Sequence, residues 1–507
     1  MAALDTFLGL DLGTSSVKGV LVAADDGEVI ARSERSLHLA EPEPLAAEQD
    51  PHDWWNACAA VLLDLAVAAR SLSARPLALG LTGQKHALLP LDAEGRPLAR
   101  AVLWCDGRAH PECVEIHAKV GRSALGRRTG SLAFPGYLLP KWLRLRRLAP
   151  DVAARTARLV GAKDWIRLRL TGVAATDRTE ASSTLLYDIG KKAWAPDLFA
   201  AFDMAPSLLP PVVRSSDVAG TLTAEAARET GLPLGLPVVG GAGDNEAGAL
   251  GCGAVSEGRV AVILGTSGTV VAYHATRGSA GGVVWGRHAL RRGYGATGVV
   301  LSAGRALEWV RRAAFPSDFT TEEVLEAAAA SDPAEGALVF VPSLVGERSP
   351  VPDPGASGAF VGLRPGHGRG HLARAVIEGV SIAIADTVRA MRGAGVAVSE
   401  LRVTSGGARS PFWRASIAAA ADLPVVAMGD AEGPSVGAAM LAARSTGSHG
   451  TNLVSIAERW ARPPAAEAPV PAEVARMGGL AVMHAAARSA LRAVGAPPAA
   501  SARPPAS

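Results

Sequence analysis

The chain has 507 residues, a length that usually divides into two or three domains, each with its own hydrophobic core. Hydrophobic residues make up 49% of it, and short apolar runs separated by glycine and proline indicate a folded α/β protein. The formal net charge is only +3 and the arginines are scattered, which argues against nucleic-acid binding.

The cysteines and the N-terminus bear on the cellular compartment. The four cysteines form no CxxC pair, so we expect neither a structural zinc site nor a disulfide framework. Asp5 and Asp11 interrupt the first apolar run, which argues against a secretory signal. No segment is apolar over the length needed to span a bilayer. These features predict a cytoplasmic protein without membrane partners.

The first predicted element is an apolar strand over residues 7–12, which contains Asp11. The turn Gly13-Thr14-Ser15-Ser16 follows it and leads into a second strand over 17–22. About half a chain later, strands over 260–264 and 269–273 flank the turn Gly265-Thr266-Ser267-Gly268. A fainter pair comprises the strands at 77–81 and 401–403. The repeated Leu-Gly-Thr-Ser unit predicts two related domains that face each other across a cleft.

Glycine and proline cluster at 233–237, and this predicts an N-terminal domain over 1–237 and a C-terminal domain over 238–461. Residues 462–507 form a third segment, in which we expect a helix at about 472–494. The Pro- and Ala-rich residues 495–507 are predicted to be disordered.

The two Gly-Thr-Ser turns are candidate phosphate sites. In the first turn Thr14 and Ser15 offer backbone N–H groups and hydroxyls, and in the second the same donors come from Gly265-Thr266-Ser267. Asp11, at the end of a strand, is a candidate ligand for hydrated Mg²⁺. The alternative interpretation is a pair of ordinary hairpin turns, which the same residue types favour.

Asp244 is the principal catalytic candidate. It follows an apolar strand and a run of small residues, where a carboxylate is placed to accept a proton from a substrate hydroxyl, and Asn245 could orient that substrate. The alternative is that Asp244 is only the N-cap of the following helix. Residue spacing alone leaves the two interpretations open.

The loop at 405–411 follows a strand and precedes a predicted helix. Its residues Gly406, Gly407 and Ala408 would let a nucleotide lie against bare backbone. The sequence has neither a Walker A loop nor a GxGxxG fingerprint at these turns, which disfavours a P-loop NTPase or a Rossmann dehydrogenase.

Eleven short motifs follow one another from Leu8 to about Ala442. In chain order they are Asp11-Leu12-Gly13-Thr14-Ser15, Glu48-Gln49-Asp50-Pro51, Trp54-Trp55, Gly83-Gln84-Lys85-His86, Leu103-Trp104-Cys105-Asp106-Gly107-Arg108, Lys163-Asp164-Trp165, Gly243-Asp244-Asn245, Leu264-Gly265-Thr266-Ser267-Gly268, Gly346-Glu347-Arg348-Ser349-Pro350, Gly406-Gly407-Ala408-Arg409-Ser410 and Gly433-Pro434-Ser435-Val436-Gly437-Ala438-Ala439. In this order they resemble the FGGY family of carbohydrate kinases, most closely its D-xylulose kinases.

The resemblance implies two duplicated actin/hexokinase-like (ribonuclease H-like) ATPase domains flanking a cleft. It also implies transfer of the γ-phosphoryl group of Mg·ATP to the 5-hydroxyl of D-xylulose, with Asp244 as general base and Asp11 near the metal. The substrate contacts that it implies are Lys85, His86, Trp104, Asp244 and Asn245. The expected partners are a small sugar and ATP, and a homodimer stays open.

Three departures from the family pattern leave the sugar open. Lys85 stands where Met is usual, Cys105 replaces Asn, and Ala242 interrupts a run of Gly. A cation in the sugar pocket makes another pentulose, a polyol or a sugar acid plausible, such as ribulose or gluconate. Lys85 could instead extend to solvent. A further alternative, from another class, is a catalytically inactive sugar- or nucleotide-binding regulator.

Overall fold

The structure is a computed structural model that describes residues 3–279, 282–333, 336–429, 433–447 and 452–494. The tail predicted to be disordered, 495–507, lies outside the described residues. Among the described residues, no helix combines the length and the apolar character needed to cross a membrane.

The first half of the chain folds around one large sheet with helices on its faces. Its strands are β1 (Leu4–Leu12), β2 (Ser16–Ala23), β3 (Val29–Ser36), β4 (Glu48–Gln49), β5 (Ala74–Gly83), β6 (Leu89–Leu91), β7 (Ala101–Val102), β8 (Arg158–Val160), β9 (Thr176–Asp177), β10 (Tyr187–Asp188), β11 (Ala193–Trp194), β12 (Val212–Val213), β13 (Val218–Thr221), β14 (Pro237–Val239) and β15 (Ala242–Gly243). Its helices are α1 (Pro51–Ser71), α2 (His110–Val120), α3 (Arg122–Thr129), α4 (Leu138–Leu148), α5 (Pro150–Arg155), α6 (Ala162–Thr171), α7 (Arg178–Ala181), α8 (Pro196–Ala201), α9 (Ala224–Thr230) and α10 (Asp244–Gly251).

The second half forms another large sheet and more of the helices. Its strands are β16 (Gly258–Leu264), β17 (Gly268–His274), β18 (Val284–Arg287), β19 (Tyr294–Val300), β20 (Val339–Val341), β21 (Ala359–Val361), β22 (Val398–Thr404) and β23 (Val425–Ala427). Its helices are α11 (Gly304–Ala314), α12 (Thr321–Ala330), α13 (Arg369–Gly393), α14 (Pro411–Ala421), α15 (Gly433–Thr446), α16 (Leu453–Ala461) and α17 (Pro471–Val494).

The two large sheets confirm the predicted duplication. In the first, β1 pairs antiparallel with β2 and parallel with β5. In the second, β16 pairs antiparallel with β17 and parallel with β22. The Gly-Thr-Ser turns therefore occupy equivalent positions between β1 and β2 and between β16 and β17. The fainter predicted pair, now β5 and β22, also takes equivalent positions, so both halves repeat one strand order.

Sheet membership does not follow the boundary predicted at 237/238. Strand β14 spans that position and β15 lies after it, yet both pair with β5 of the first sheet. Because a strand belongs to the unit whose sheet it completes, we propose a boundary between α10 and β16 instead.

Helix α15 crosses from the second half and packs against β1, β5 and α10. Glycines make this approach possible: a Cβ at Gly80 would lie 1.8 Å from the carbonyl oxygen of Ala438, and one at Gly9 would lie 1.9 Å from that of Ser435. On the other side of the helix, a Cβ at Gly437 would lie 1.9 Å from the carbonyl oxygen of Ala247. Backbone therefore meets backbone where the two halves join.

Gly80→Ala is expected to lower the free energy of unfolding by about 1–3 kcal/mol, because strand β5 and helix α15 would have to move apart. The measurement is chemical denaturation followed by circular dichroism. Gly478→Ala in α17 is the matched control, since nothing lies within 4 Å of its added Cβ, and it is expected to be neutral or stabilising by up to about 1 kcal/mol. Equal effects of the two substitutions would show that the close approach at Gly80 carries no strain.

Candidate active site

Two candidate carboxylates come together at one edge of the first sheet. Asp11 lies beside Thr82 in the parallel pairing of β1 with β5, and Ala242 lies on the other side of Thr82 in the pairing of β15 with β5. Because parallel strands end at the same edge, Asp11 and the residue that follows β15, Asp244, lie near each other. After burial, the negative charge of Asp244 is accordingly the second cause that raises the pKa of Asp11.

Asp11 has a shielded oxygen without a partner. Its Oδ1 atom is buried and accepts no hydrogen bond from any described residue. Burial, followed by the charge of Asp244, raises the pKa of this carboxyl to about 7, and Lys18 opposes the shift. A buried carboxylate oxygen that accepts no hydrogen bond is suited to receive a cation.

Asp244 is the first residue of α10, and Gly243 takes the N-cap position. The Asp244 Oδ1 atom accepts a hydrogen bond from the backbone N–H of Asn245 at 2.8 Å. Burial raises the pKa of Asp244 to about 6, Lys85 opposes the shift, and Glu246 adds to it. The carboxylate is thus placed as a group that can gain and lose a proton near neutral pH.

A buried network holds the backbone that leads into Asp244. The N–H of Gly243 donates to Thr179 Oγ1 at 2.8 Å, and the Thr179 hydroxyl donates to Asp177 Oδ1 at 2.5 Å. Lys163 lies between two carboxylates, at 2.5 Å from Asp177 and 2.7 Å from Asp164. These groups are almost completely buried, so the loop before α10 rests on a fixed polar platform.

Lys85 points into the protein and does not extend to solvent. Its Nζ atom lies 2.7 Å from Glu246 Oε1, with side-chain exposures of 10% for Lys85 and 5% for Glu246. Lys85, His86, Asn245 and Glu246 line a cavity of about 50 Å³ beside Asp244. Lys85, His86 and Asn245, which were all predicted to contact the substrate, therefore share one cavity. The ammonium group of Lys85 in this cavity is already paired with Glu246.

Contacts of both its ring and its backbone fix the position of His86. Its ring stacks on Tyr137 with centroids 4.3 Å apart and an interplanar angle of 9°, and its Nδ1 lies 3.1 Å from the carbonyl oxygen of Ser183. Its backbone N–H donates to Glu180 Oε1 at 3.0 Å. Burial, then the guanidinium of Arg348, lowers the pKa of His86 well below its usual value. The ring is therefore neutral and fixed in the cavity wall.

Trp104 lies at the first phosphate turn and does not line the cavity. Its Nε1 donates to Thr14 Oγ1 at 3.0 Å, and Thr14 donates to Gln84 Oε1 at 3.2 Å. The side-chain amide of Gln49 donates to the Thr14 carbonyl at 2.7 Å. Neighbouring Ser15 is exposed. Hydrogen bonds across three segments therefore fix the shape of this turn.

A larger cleft of about 660 Å³ opens beside the second phosphate turn. Gly265, Gly406 and Gly407 line it, so bare backbone forms part of its wall. Thr266 does not line the cleft, but its carbonyl accepts the N–H of Arg305 at 3.0 Å. Ser267 and Ala408, which were also predicted to bind the nucleotide, do not line the cleft either. The Ser267 carbonyl accepts the N–H of Gly265 at 3.0 Å, and Ala408 is buried beneath the loop.

The sequence did not single out several residues that build the cavity. Tyr137, Glu180 and Glu246 carried no motif-based role, and Arg348 appeared only within a motif without an assigned function. Arg348 lies over the Tyr137 ring at 5.3 Å although 211 positions separate the two residues in the chain. The available local signal was the Glu246 carboxylate, which stands two residues after Asp244 and adds a second negative charge close to it.

Lys141 supports His86 from below. Its Nζ is buried and donates to the carbonyls of His86, Val102 and Leu103 at 2.7, 2.9 and 3.0 Å. Burial lowers the pKa of this amine to about 7. The substitution Lys141→Met would fill the space but leave the His86 carbonyl without a donor. The carbonyls of Val102 and Leu103 would keep only the backbone N–H groups of Leu88 and Asp106.

Lys141→Met is therefore expected to lower the free energy of unfolding by about 1–3 kcal/mol, the typical loss when one buried polar group is left unsatisfied. Urea denaturation measures the change. Arg144→Met on the same helix is the control, since the one described carboxylate that its guanidinium approaches is that of Glu43, at 3.8 Å. We expect a change within about 0.5 kcal/mol. Equal stability of Lys141→Met and wild type would contradict a structural role for these three bonds.

Comparison with known proteins gives consistent matches over nearly the whole chain. Residues 6–251 match the N-terminal domain of the FGGY family of carbohydrate kinases, and residues 260–446 match its C-terminal domain. Xylulose kinase from Escherichia coli (strain K12) is 36% identical over 442 residues, which cover 86% of this chain and 89% of that protein.

Two crystal structures share the fold. That of xylulose kinase from Rhodospirillum rubrum has a TM-score of 0.86 and 31% identity, and the match covers 96% of this chain and 99% of the other. That of gluconate kinase from Lactobacillus acidophilus has a TM-score of 0.88 and 25% identity, with coverages of 97% and 99%.

Proposed function

Because the chain belongs to the FGGY family of carbohydrate kinases, we propose that it transfers the γ-phosphoryl group of ATP to the 5-hydroxyl of D-xylulose, giving D-xylulose 5-phosphate and ADP. The chain is an ATP-dependent phosphotransferase that acts on a small carbohydrate, and the choice of xylulose follows its likeness to xylulose kinases. The observation that carries the proposal is the buried Asp244 carboxylate beside the Lys85–His86 cavity.

Asp244 acts as the general base in this proposal. Its carboxylate accepts the proton of the attacking hydroxyl as the phosphoryl group arrives. The hydrogen bond from the Asn245 backbone and the Gly243–Thr179 bond behind it keep the carboxylate in place. Its raised pKa supports this role, since a base titrating near neutral pH is a better acceptor than an ordinary carboxylate.

The cleft at Gly265, Gly406 and Gly407 would hold the nucleotide, with backbone N–H groups of the two Gly-Thr-Ser turns directed at the phosphates. Thr14 and Ser15 supply the first turn, and Thr266 and Ser267 the second, while Ala408 supports the loop from beneath.

Mg²⁺ fits the residues around Asp11. The unpartnered Asp11 Oδ1 offers a carboxylate oxygen, and no cluster of three or more histidines, cysteines or carboxylates that could hold a metal occurs among the described residues. Mg²⁺ typically uses one or two carboxylates together with water and substrate phosphates. When bound, the ion would neutralise charge on the phosphates, and Asp11 would orient it through water.

The sugar would occupy the cavity lined by Lys85, His86 and Asn245, with Arg348 at its edge. Trp104 would act indirectly in this arrangement, because its indole N–H binds Thr14 and the cavity wall does not include it. Its expected role is therefore to shape the phosphate turn next to the sugar.

The Lys85–Glu246 pair favours a neutral sugar over a sugar acid. The Lys85 ammonium is neutralised by Glu246 at 2.7 Å, and Asp11 and Asp244 contribute further negative charge nearby. Lys85 is therefore not available to attract an anionic substrate, which leaves Arg348 as the unpaired cation among the residues that line the cavity. The pairing of Lys85 supports a ketopentose over gluconate, and it leaves ribulose and polyols as alternatives within the same enzyme class.

Asp244→Asn is expected to lower kcat with D-xylulose by about 10²–10⁴-fold, because the amide cannot accept the proton. In the wild type, kcat/KM is expected to fall as pH drops below about 6, since protonation removes the base. A coupled assay of ADP release over pH 5–8 measures both. ADP affinity, measured by calorimetry, is the control and should not change. A kcat within a few-fold of wild type would remove Asp244 from the mechanism.

Glu246→Gln is expected to raise the ratio of kcat/KM for D-gluconate to that for D-xylulose by about tenfold, since Lys85 becomes free to pair with a carboxylate. The same assay with both sugars measures the ratio. The double variant Lys85→Met/Glu246→Ala lacks the amine as well and should show no increase. An unchanged ratio in Glu246→Gln would mean that Lys85 does not control substrate charge.

A further inference from the structure

A second cavity, of about 300 Å³, lies between the two halves of the molecule and shares no lining residue with the nucleotide cleft or the sugar cavity. The loop between β12 and β13 forms its wall on the side of the first half. The end of β17, the segment after β18, the last turn of α15 and the start of α16 form the rest. A volume of this size lies at the lower end of the range for small-molecule sites.

The wall of this cavity is strongly basic. Four arginines line it, Arg214, Arg291, Arg292 and Arg444, against a single carboxylate, Asp217. Asp217 lies 4.0 Å from Arg214, a distance at which pairing is weak. At least three guanidinium groups are therefore left without a counter-charge from the wall.

These arginines have no partner elsewhere in the described part of the chain. Arg291, Arg292 and Arg444 make no hydrogen bond or ion pair with any described residue. Like charges gathered in one concave site repel one another and concentrate a positive potential there. An anion bound among them would relieve that repulsion.

The cavity also supplies neutral donors. Ser216 and Tyr273 contribute hydroxyl groups to its wall. Helix α16 begins there, and its N-cap Asn452 accepts the N–H of Val454 at 3.0 Å, which leaves other N–H groups of the first turn available to a ligand. Guanidinium forks, hydroxyls and backbone N–H groups are the donors that phosphate oxygens accept best.

One side of the cavity is tied to the backbone that leads to Asp244. The N–H of Gly240 donates to the carbonyl of Asp217 at 2.9 Å, and the N–H of Gly241 donates to that of Ser215 at 2.8 Å. A ligand that binds Arg214 would therefore contact the loop whose carbonyls are hydrogen-bonded to the backbone between β14 and β15. Strand β15 leads directly into the active-site helix α10.

We propose that this cavity binds a small phosphorylated anion that carries at least two negatively charged groups. The ligand lies between Arg214 of the first half and Arg291, Arg292 and Arg444 of the second, and it is distinct from both substrates of the kinase reaction. Its affinity decreases with salt, since the attraction is between charges at a solvent-accessible site.

Isothermal titration calorimetry of the full chain with inorganic pyrophosphate tests the site. Saturating ADP occupies the nucleotide cleft, and EDTA removes metal ions that would chelate the probe. The wild type is expected to bind pyrophosphate, and Arg291→Ala/Arg292→Ala to bind it at least tenfold more weakly. Inorganic phosphate, with a single group, is expected to bind more weakly than pyrophosphate.

A matched control separates the cavity from general surface charge. Arg155→Ala/Arg228→Ala also removes two exposed arginines that have no partner among the described residues, and it should leave affinity within twofold of wild type. Arg444→Gln provides a second, single-charge variant, and it is expected to weaken binding as well. A parallel titration with ribulose 1,5-bisphosphate compares an organic phosphate ester with the inorganic anion. The tighter of the two ligands shows which class the cavity prefers.

No binding by the wild type, or equal weakening in the two double variants, overturns the proposal. The titrations involve no turnover, so their failure leaves the proposed kinase reaction untouched.

Discussion

The close approach of α15 to β1 and β5 is the constraint on which the rest of the structure depends. At Gly9 and Gly80 a strand of the first half meets the backbone of a helix from the second, and at Gly437 the same helix meets α10. Because α10 begins with Asp244, the position of that carboxylate follows from this helix–sheet contact. The site is therefore built at the junction of the two halves and not within either one.

Around this junction, charge is buried in two different ways. Asp11 and Asp244 are buried with incomplete compensation, so their pKa values rise to about 7 and about 6. Lys163 is buried between Asp164 and Asp177 with close pairing, and it forms a platform beneath the active-site loop. The paired charges hold the loop, while the uncompensated ones keep the capacity to bind a cation or a proton.

In the sugar cavity, the charge that one residue presents to a ligand depends on its neighbour. Lys85 would be a cation ready for an anionic substrate if it stood alone, yet Glu246 neutralises it at 2.7 Å. His86 is kept neutral by burial and by Arg348, and the carbonyl behind it is held by Lys141. The cavity therefore recognises its ligand through fixed, mostly neutral groups, which suits the hydroxyls of a sugar.

The sequence by itself determined the fold class, the duplicated strand-turn-strand units and the strand-end position of Asp11, because each is encoded within a few neighbouring residues. It also identified Asp244 but left open whether this residue is only a helix cap, and the structure places Gly243 at the cap. Only the tertiary structure decided that Lys85 meets Glu246, that Arg348 reaches Tyr137 and that Trp104 binds Thr14. It also showed that β14 and β15 complete the first sheet. These contacts join residues that are distant in the chain, and local patterns of hydrophobicity and turn residues carry no information about which distant segments will pack together.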